Sequence, residues 1–472
     1  MQIEQIYTGC LAQGAYYIES EGEAVVIDPL RDIDNYLAKA KRNNAKITYV
    51  FETHFHADFV SGHMDLAKAT GATIVYGPTA VPGFEAKVAV DGEKFKVGKL
   101  VFELLHTPGH TLESCCYLMY DESGKPSALF SGDTIFIGDV GRPDLAQKAA
   151  NQTLEELAGL LFDSIRTKIL PLADNIVVYP AHGAGSACGK KLSSETIDTL
   201  GHQKATNYAM RADMSRAEFI KEVTEGLVAP PAYFPFNVQM NKQGYESIDT
   251  VIQRGYKALS ANAFEAAVDE TEAIIIDTRN ASEFGKGFIP GSINIGIDGS
   301  FAVWVGALIK NVSQPILLVT EEGREVEVVT RLARVGFDHA FGYLKGGFEA
   351  WKQARKEYDH IDSIDADQLG AFYQEQDPEQ IIDVRKKSEY DTEHILGVTN
   401  FPLDFIDDGN QVFDPNKTYY IHCAGGYRSM IYTSIMRARG YQNLINCSVG
   451  FKDLKASGKF HVSEFSQQNT QL

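Results

Sequence analysis

Cysteine is scarce in this chain, with six in 472 residues: Cys10, Cys115, Cys116, Cys188, Cys423 and Cys447. They are too few and too scattered for a disulfide framework, so a reducing cytoplasm is the expected setting. Any cysteine that matters should then matter through its reactivity. Positive charge is also short. Against 63 Asp and Glu stand 44 Lys and Arg, a net charge of −19. That argues against nucleic acid or an anionic membrane as the main partner. No apolar run approaches the ~20 residues of a membrane span. The opening MQIEQIYTGC lacks a basic and an apolar region, so no signal peptide is expected.

What is present reads as globular protein: 44% apolar and 23% charged residues. The length exceeds one compact core and predicts roughly two to four domains. Up to about residue 250, short β-rich runs end in polar loops. These are AVVIDP (24–29), ITYVFETH (47–54), ATIVYG (72–77), LVFELLHTPGH (100–110), SALFSGD (127–133) and NIVVYPAHG (175–183). Helical patterns lie between them at 32–44 and 152–165, the second with Thr153 and Glu156 spaced as a capping box. A Pro-rich stretch at 229–244 closes this region. The remainder holds an internal repeat. Asp277, Arg279, Glu283, Ile289, Gly291 and Asn294 recur in order as Asp383, Arg385, Glu389, Ile395, Gly397 and Asn400. Two successive α/β domains of similar length are the simple reading.

Metal-type residues crowd the loops that follow the early strands. His54, His56 and Asp58 lie in THFHADF, His110 in HTPGH, Asp133 in SGD and His182 in PAHG. A single histidine after a strand is more often a hydrogen-bonded structural residue than a ligand. Four loops of this type at strand ends argue for one metal site assembled from several loops. Phe59 cannot coordinate, and it makes its side of that site apolar.

These motifs, in this order after VVIDP, resemble the metallo-β-lactamase superfamily, an αββα sandwich with metal at one edge. The usual first motif there is HxHxDH, whose Asp and last His serve a second metal. Here that last His is Phe59, so a dinuclear zinc hydrolase of the glyoxalase II type is disfavoured and a mononuclear site remains. SGDTIFIGDVGRPDL (131–145) resembles the persulfide dioxygenases of the superfamily. That resemblance implies one Fe(II) per chain on His54, His110 and Asp133, a 2-His-1-carboxylate set with open positions for sulfur substrate and O₂. It implies outer-shell roles for His56, Asp58 and His182, whose hydrogen bonds would fix the ligands. It also sets Arg142 where the family contacts the thiol substrate's carboxylate, as a bidentate clamp. The plainer role for Arg142 is an ordinary ion pair.

In the second repeat, YYIHCAGGYRSM (419–430) joins an apolar strand to a helical run. Its glycines let backbone N–H groups point inward as an anion nest, and the helix N-terminus adds positive potential. Both favour a thiolate at Cys423 over a merely structural thiol. The loop resembles rhodanese, a sulfurtransferase fold. That implies Cys423 as persulfide carrier and Arg428 as the cation that positions thiosulfate or sulfite. Leu396 stands where the family often has Pro. In the first repeat, LLVTEEGREVE (317–327) reads as a shorter loop with Glu321 at the cysteine's place, which predicts an inactive domain used for docking or spacing. Core packing is expected of at least one of Cys115 and Cys116, Cys447 reads as structural, and Cys10 has no evident role. Cys188, beside Lys190 and Lys191, reads either as an incidental loop residue or as a solvent-accessible thiol that relays sulfur.

The expected architecture is α/β: a persulfide dioxygenase domain at 1–255, a cysteine-less rhodanese-like domain at 256–360 and an active rhodanese domain at 361–472. The expected chemistry is oxidation of a low-molecular-weight persulfide by O₂ to sulfite, with thiosulfate formed or used at Cys423. Fusion would raise the effective concentration of one site's product at the other. Two other classes stay open: a sulfur-carrier or redox adaptor with little turnover, and a mononuclear zinc thioester hydrolase. The thiol carrier, the direction of sulfur flow and homo-oligomerisation are not legible.

Overall fold

In the computed structural model the described residues are 1–145, 151–190, 192–376, 378–407, 413–414 and 416–465. The chain divides into two compact units, one on Met1–Ile248 and the other beginning at Asp249.

The first unit holds two six-stranded sheets. One runs in chain order through Gln2–Thr8, Gln13–Ser20, Glu23–Ile27, Lys46–Phe51, Thr73–Tyr76 and Lys87–Val88. The other runs in reverse order from Asp198–Thr199 through Val177–Pro180, Pro126–Gly132, Cys115–Tyr120 and Leu100–His106 to Lys94–Val97. Alternation along the strands sorts the side chains between faces. Tyr16, Ile18, Val25 and Ile27 face the shared core with Phe102, Tyr117 and Phe130 of the other sheet, while Ala15, Tyr17, Ala24 and Val26 pack on the outer side. The rings of Phe51 and Tyr117 stack across the two sheets at 4.4 Å. Each fully buried ring of this kind contributes roughly 1.5–3 kcal/mol. Helices Asp34–Asn43 and His63–Thr70 carry buried residues into the outer cluster of the first sheet. Helix Leu154–Ser164 does so on the second sheet, with Thr153 and Glu156 forming the expected capping box. The αββα layering implied by the resemblance is therefore present.

The second unit holds two five-stranded parallel sheets with the same strand order. Ile274–Asp277 lies between Ile316–Val319 and Ile293–Asn294, and Ile381–Asp383 lies between Tyr419–His422 and Thr399–Asn400. Near-continuous apolar strands such as Ile316–Val319 are what a sheet buried on both faces requires. The register is the same as well. Asp277 pairs with Val319 and Asn294; Asp383 pairs with His422 and Asn400. Among the described residues no helix is long and apolar enough to cross a membrane.

Candidate metal centre and cysteine loop

His54, His110 and Asp133 come together as expected, each offering a donor atom within 4.8 Å of the others, all buried. The Nε2 atoms of His54 and His110 lie 3.8 and 3.4 Å from Asp133 Oδ2. Asp133 is 2% exposed, and neither of its carboxylate oxygens has a hydrogen-bond partner among the described residues. Two imidazoles and an orphaned buried carboxylate fit a cation, which would satisfy all three.

The groups that orient these rings lie inside the VVIDP, THFHAD and GRPD stretches, where the sequence alone does not reveal this part of their role. Asp28 sits at φ +49, in the left-handed region that Asp tolerates better than most residues. Its carboxylate accepts the Thr53 N–H at 2.8 Å and the Thr53 hydroxyl at 2.9 Å. With its one proton engaged there, Thr53 Oγ1 accepts Nδ1–H of His54 at 3.0 Å, which turns His54 Nε2 to the site. His110 Nδ1 donates to the Arg142 carbonyl at 2.8 Å, with the same effect. Gly132 makes the approach feasible: a Cβ there would lie 2.6 Å from Thr53. Asn241 clamps the first metal loop. Its amide donates to the carbonyls of His56 and Phe59, and its oxygen accepts Ser61 N–H.

His56, Asp58 and His182 form a second cluster of donors within 4.8 Å of one another. Their predicted role of fixing the ligands by hydrogen bonds is corrected: Thr53 and the Arg142 carbonyl do that. His182 Nε2 stands 3.5 Å from both Asp58 and Asp133, and His56 Nε2 turns to Asp28 at 3.1 Å. Phe59 is fully buried and lays its ring 4.4 Å from that of His56. Burial, then the nearby histidine charges, hold His54 well below the usual imidazole range, in the neutral form a ligand needs. Burial also works against charge on His56, but Asp28 and Glu52 outweigh it and carry His56 to about 9.

Two sequence expectations fail here. Arg142 is no free clamp. The residue is 5% exposed, and its guanidinium forks onto Asp144 at 2.6 Å twice, with further bonds to the carbonyls of Ala187 and Val228. Cys188 is not solvent-accessible. It is 1% exposed, and burial, then Asp58 and Asp133, push its thiol well above the usual range. It packs within 4.8 Å of Asp133 and His182 donors. Lys190 turns its ammonium to the carbonyls of Glu222 and Glu225, and Lys191 lies outside the described residues. Cys115, Cys116 and Cys447 are buried in strands, as expected.

In the second repeat Cys423 follows Tyr419–His422 directly and is 1% exposed. Gly426, at φ +83, turns its N–H onto Cys423 Sγ at 3.1 Å. The Ser429 hydroxyl donates to the Gly426 carbonyl, which leaves its oxygen to face Sγ at 3.6 Å. Helix Tyr427–Ala438 starts at the loop. Arg428 is held by Glu389 through a fork at 2.5 and 2.8 Å. Burial opposes the charge on both partners, but the pairing outweighs it, raising Arg428 and lowering Glu389.

The first repeat's loop differs from its expectation. Strand register aligns Val319 with His422, so the residue at the cysteine's place is Thr320, not Glu321. Nor is the loop shorter up to its glycine. Thr320–Glu321–Glu322–Gly323 matches Cys423–Ala424–Gly425–Gly426, and Gly323 has φ +89 against +83. Glu321 is half exposed and faces Arg324. Glu325, at the place of Arg428, accepts the Gly323 N–H at 3.0 Å. The nest that cradles sulfur in one repeat is thus filled by a carboxylate in the other.

Comparison with known proteins follows the same division. Residues 8–182 match the metallo-beta-lactamase superfamily model, and residues 260–354 and 365–457 each match the rhodanese-like domain model. A solved metallo-beta-lactamase from Staphylococcus aureus subsp. aureus COL is 33% identical; the alignment covers 73% of this chain and 98% of that one, at TM-score 0.64. The chain belongs to the metallo-beta-lactamase superfamily. Two rhodanese-like domains follow its superfamily domain. A hydroxyacylglutathione hydrolase from Polaromonas sp. is 33% identical over 189 residues, 39% of this chain and 66% of that relative. The structure of ETHE1 from Myxococcus xanthus is 28% identical, covers 52% of this chain and 99% of its own, and scores 0.44.

Proposed function

We propose that this chain oxidises a low-molecular-weight persulfide, such as glutathione persulfide, with O₂ at one Fe(II) per chain, and handles sulfane sulfur at Cys423. One observation carries the reading: buried Phe59 stands where the superfamily motif has a metal-binding histidine, beside the two imidazoles and one carboxylate of His54, His110 and Asp133. His54, His110 and Asp133 would hold the iron. Bound there, Fe(II) supplies open coordination positions and the redox chemistry that O₂ requires. Thr53 and the Arg142 carbonyl keep both rings turned inward, and the buried surroundings limit water. One persulfide, one O₂ and one water give one thiol, one bisulfite and one proton.

Sulfite can then take sulfur from a Cys423 persulfide. A bond forms between the sulfite sulfur and the outer sulfur, the bond to Sγ breaks, and the electron pair stays on Sγ as thiolate. Thiosulfate leaves. Arg428, fixed by Glu389, places positive charge beside the incoming anion. Free cysteines throughout suit a reducing compartment.

Zinc-dependent thioester hydrolysis is the second reading, favoured by the name of the Polaromonas relative and by the second donor cluster on His56, Asp58 and His182. Metal analysis with oxygen uptake separates the two. Anaerobically purified protein should hold close to one iron per chain and consume O₂ with glutathione persulfide. His110→Ala should lose the metal, and Asp133→Ala should stop O₂ uptake while sparing sulfur transfer from thiosulfate. Thr53→Val should weaken metal binding by roughly 10–100-fold, since it removes the hydroxyl that links Asp28 to His54 and leaves the three ligands in place. Two tightly bound zincs, with acylglutathione hydrolysis and no O₂ uptake, would overturn the proposal.

A further inference from the structure

The helix that leaves the cysteine loop carries Tyr427, Met430 and Ser434 at spacings of three and four, so all three share one face. That face meets the other repeat. The Tyr427 hydroxyl donates to the Gly296 carbonyl at 2.8 Å, and a Cβ on Gly299 would overlap the Tyr427 ring. Met430 is buried with Phe284 and Phe288. Ser434 Oγ accepts Asn294 N–H at 3.0 Å. Counted from the matched glycines Gly323 and Gly426, the corresponding residues of the first repeat are Arg324, Glu327 and Arg331. Arg324 Nη2 reaches Asp298 at 2.8 Å, and Arg331 Nη1 donates to the Ile297 carbonyl at 2.6 Å. Glu327 pairs with both arginines. Residues 296–299 are therefore held from two sides, by the charged residues of the cysteine-less repeat and by Tyr427 of the other.

The two ends of the cysteine loop are secured differently. The first is held within its own repeat: Phe451 N–H donates to the Cys423 carbonyl at 2.9 Å, and a Cβ on Gly450 would overlap the Ala424 carbonyl. The middle is exposed, and a Cβ on Gly425 would meet nothing within 4 Å. The last residue, Gly426, aims its N–H at Cys423 Sγ at 3.1 Å from φ +83, and Tyr427 follows it directly. We propose that Tyr427 is a positioning residue that braces the Gly426 end of the loop on residues 296–299, and that the cysteine-less repeat serves as the support for that brace. The inference rests on Cys423 being the sulfur carrier. Tyr427 does not touch the thiol. It acts through Gly426, whose N–H favours the thiolate only while the loop keeps its shape. The charge that replaces chemistry in the first repeat, on Arg324, Glu327 and Arg331, then has a use: it fixes the turn on which the active loop leans.

The test uses the full chain. Tyr427→Ala removes the brace from the active repeat, and Gly299→Ala displaces the same ring from the other repeat, far along the chain from Cys423. Alkylation of Cys423 by iodoacetamide, read by mass spectrometry of its peptide, gives a pH profile whose midpoint should move upward in both variants, because the thiolate loses part of its hold on the Gly426 N–H. Sulfur loading from thiosulfate at neutral pH should slow by about tenfold, the size of one hydrogen bond. The double variant should be no worse than Tyr427→Ala alone, since Gly299 acts only through the ring. Tyr427→Phe keeps the ring and should shift the profile the same way by less, which keeps the test readable where alanine disturbs folding. A midpoint and a loading rate unchanged in Gly299→Ala and in the Tyr427 variants would overturn the inference. Additive losses in the double variant would overturn it too, as would slower loading with an unmoved midpoint, the mark of a merely structural change. Wild-type protein that takes no sulfur from thiosulfate would instead break the assignment of Cys423, and the alkylation profile would still read the brace.

Discussion

In the first repeat Arg279 Nη2 meets Asp277 at 2.5 Å, donates to the Gly287 carbonyl at 2.9 Å and sets its guanidinium 4.5 Å from the Phe348 ring centre. In the second, Arg385 Nη2 meets Asp383 at 2.6 Å, donates to the Glu393 carbonyl at 2.9 Å and lies 3.9 Å from the centre of Phe451. Asn294 and Asn400 brace the same pair of carbonyls on either side, at 2.8–3.0 Å. A buried ion pair that loses one partner is strongly destabilising, so this device is hard to shed once a fold relies on it. The reactive loop is under no such constraint. Thr320 for Cys423 and Glu325 for Arg428 alter what the loop can hold and leave strand register intact. The scaffold and the chemistry are therefore separable, and fold alone does not license activity for the first repeat.

The largest effect that tests this contrast is removal of the thiol. Cys423→Ser should lower thiosulfate sulfurtransfer by about a thousandfold or more, as loss of a nucleophile does. Thr320→Ala and Glu321→Ala should leave it unchanged. O₂ uptake with a small persulfide should persist in Cys423→Ser, with product shifted from thiosulfate towards sulfite. Thiol-labelling chromatography measures both. Full transfer activity in Cys423→Ser, or loss in Thr320→Ala, would reverse the roles given to the two repeats.

A smaller effect should follow from refilling the inactive loop. In a Cys423→Ser background, Thr320→Cys alone should acquire no sulfur from thiosulfate, because Glu325 holds the Gly323 N–H and repels the anion. Adding Glu325→Ala frees that donor and should allow slow loading, read by mass spectrometry as one added sulfur atom on the peptide containing residue 320. Loading in the single variant would show that the carboxylate does not plug the nest.

The sequence made part of this legible. Apolar strands that end in His or Asp announce a site at a sheet edge, because burial and metal ligation demand different residues at neighbouring positions. The repeat was legible because its Asp, Arg and Asn serve backbone geometry common to both copies. What failed was whatever depends on contacts between distant segments. Thr53 and Asp28 look like ordinary strand-end residues until the hydroxyl is seen to connect a carboxylate with His54. Arg142 reads as free in GRPD because residues 187 and 228, which engage it, are far along the chain. The loop flanking Cys188 is polar, yet the fold buries the thiol. The loop sequences alone align Glu321 with the cysteine, and strand pairing brings Thr320 there instead.

The smallest effect concerns the residue just before each loop. His422 is fully buried, with Nε2 3.8 Å from Asp383, whereas its counterpart is Val319. Burial lowers His422 below the ordinary imidazole value of 6.5 and outweighs the attraction of Asp383. The unfolded chain therefore binds a proton that the folded repeat refuses. Stability from this group is present above pH 6.5 and is lost as pH falls towards the folded pKa, by at most about 1.4 kcal/mol per pH unit for one proton. Hydrogen exchange along Tyr419–His422, corrected for intrinsic rates, should thus show falling protection between pH 7.5 and 5.5, while Ile316–Val319 in the first repeat stays level. His422→Val should flatten the second strand's profile to match the first. If the wild-type strands respond alike to acid, or the variant keeps the slope, the buried imidazole is not what makes the active repeat more acid-sensitive than its silent copy.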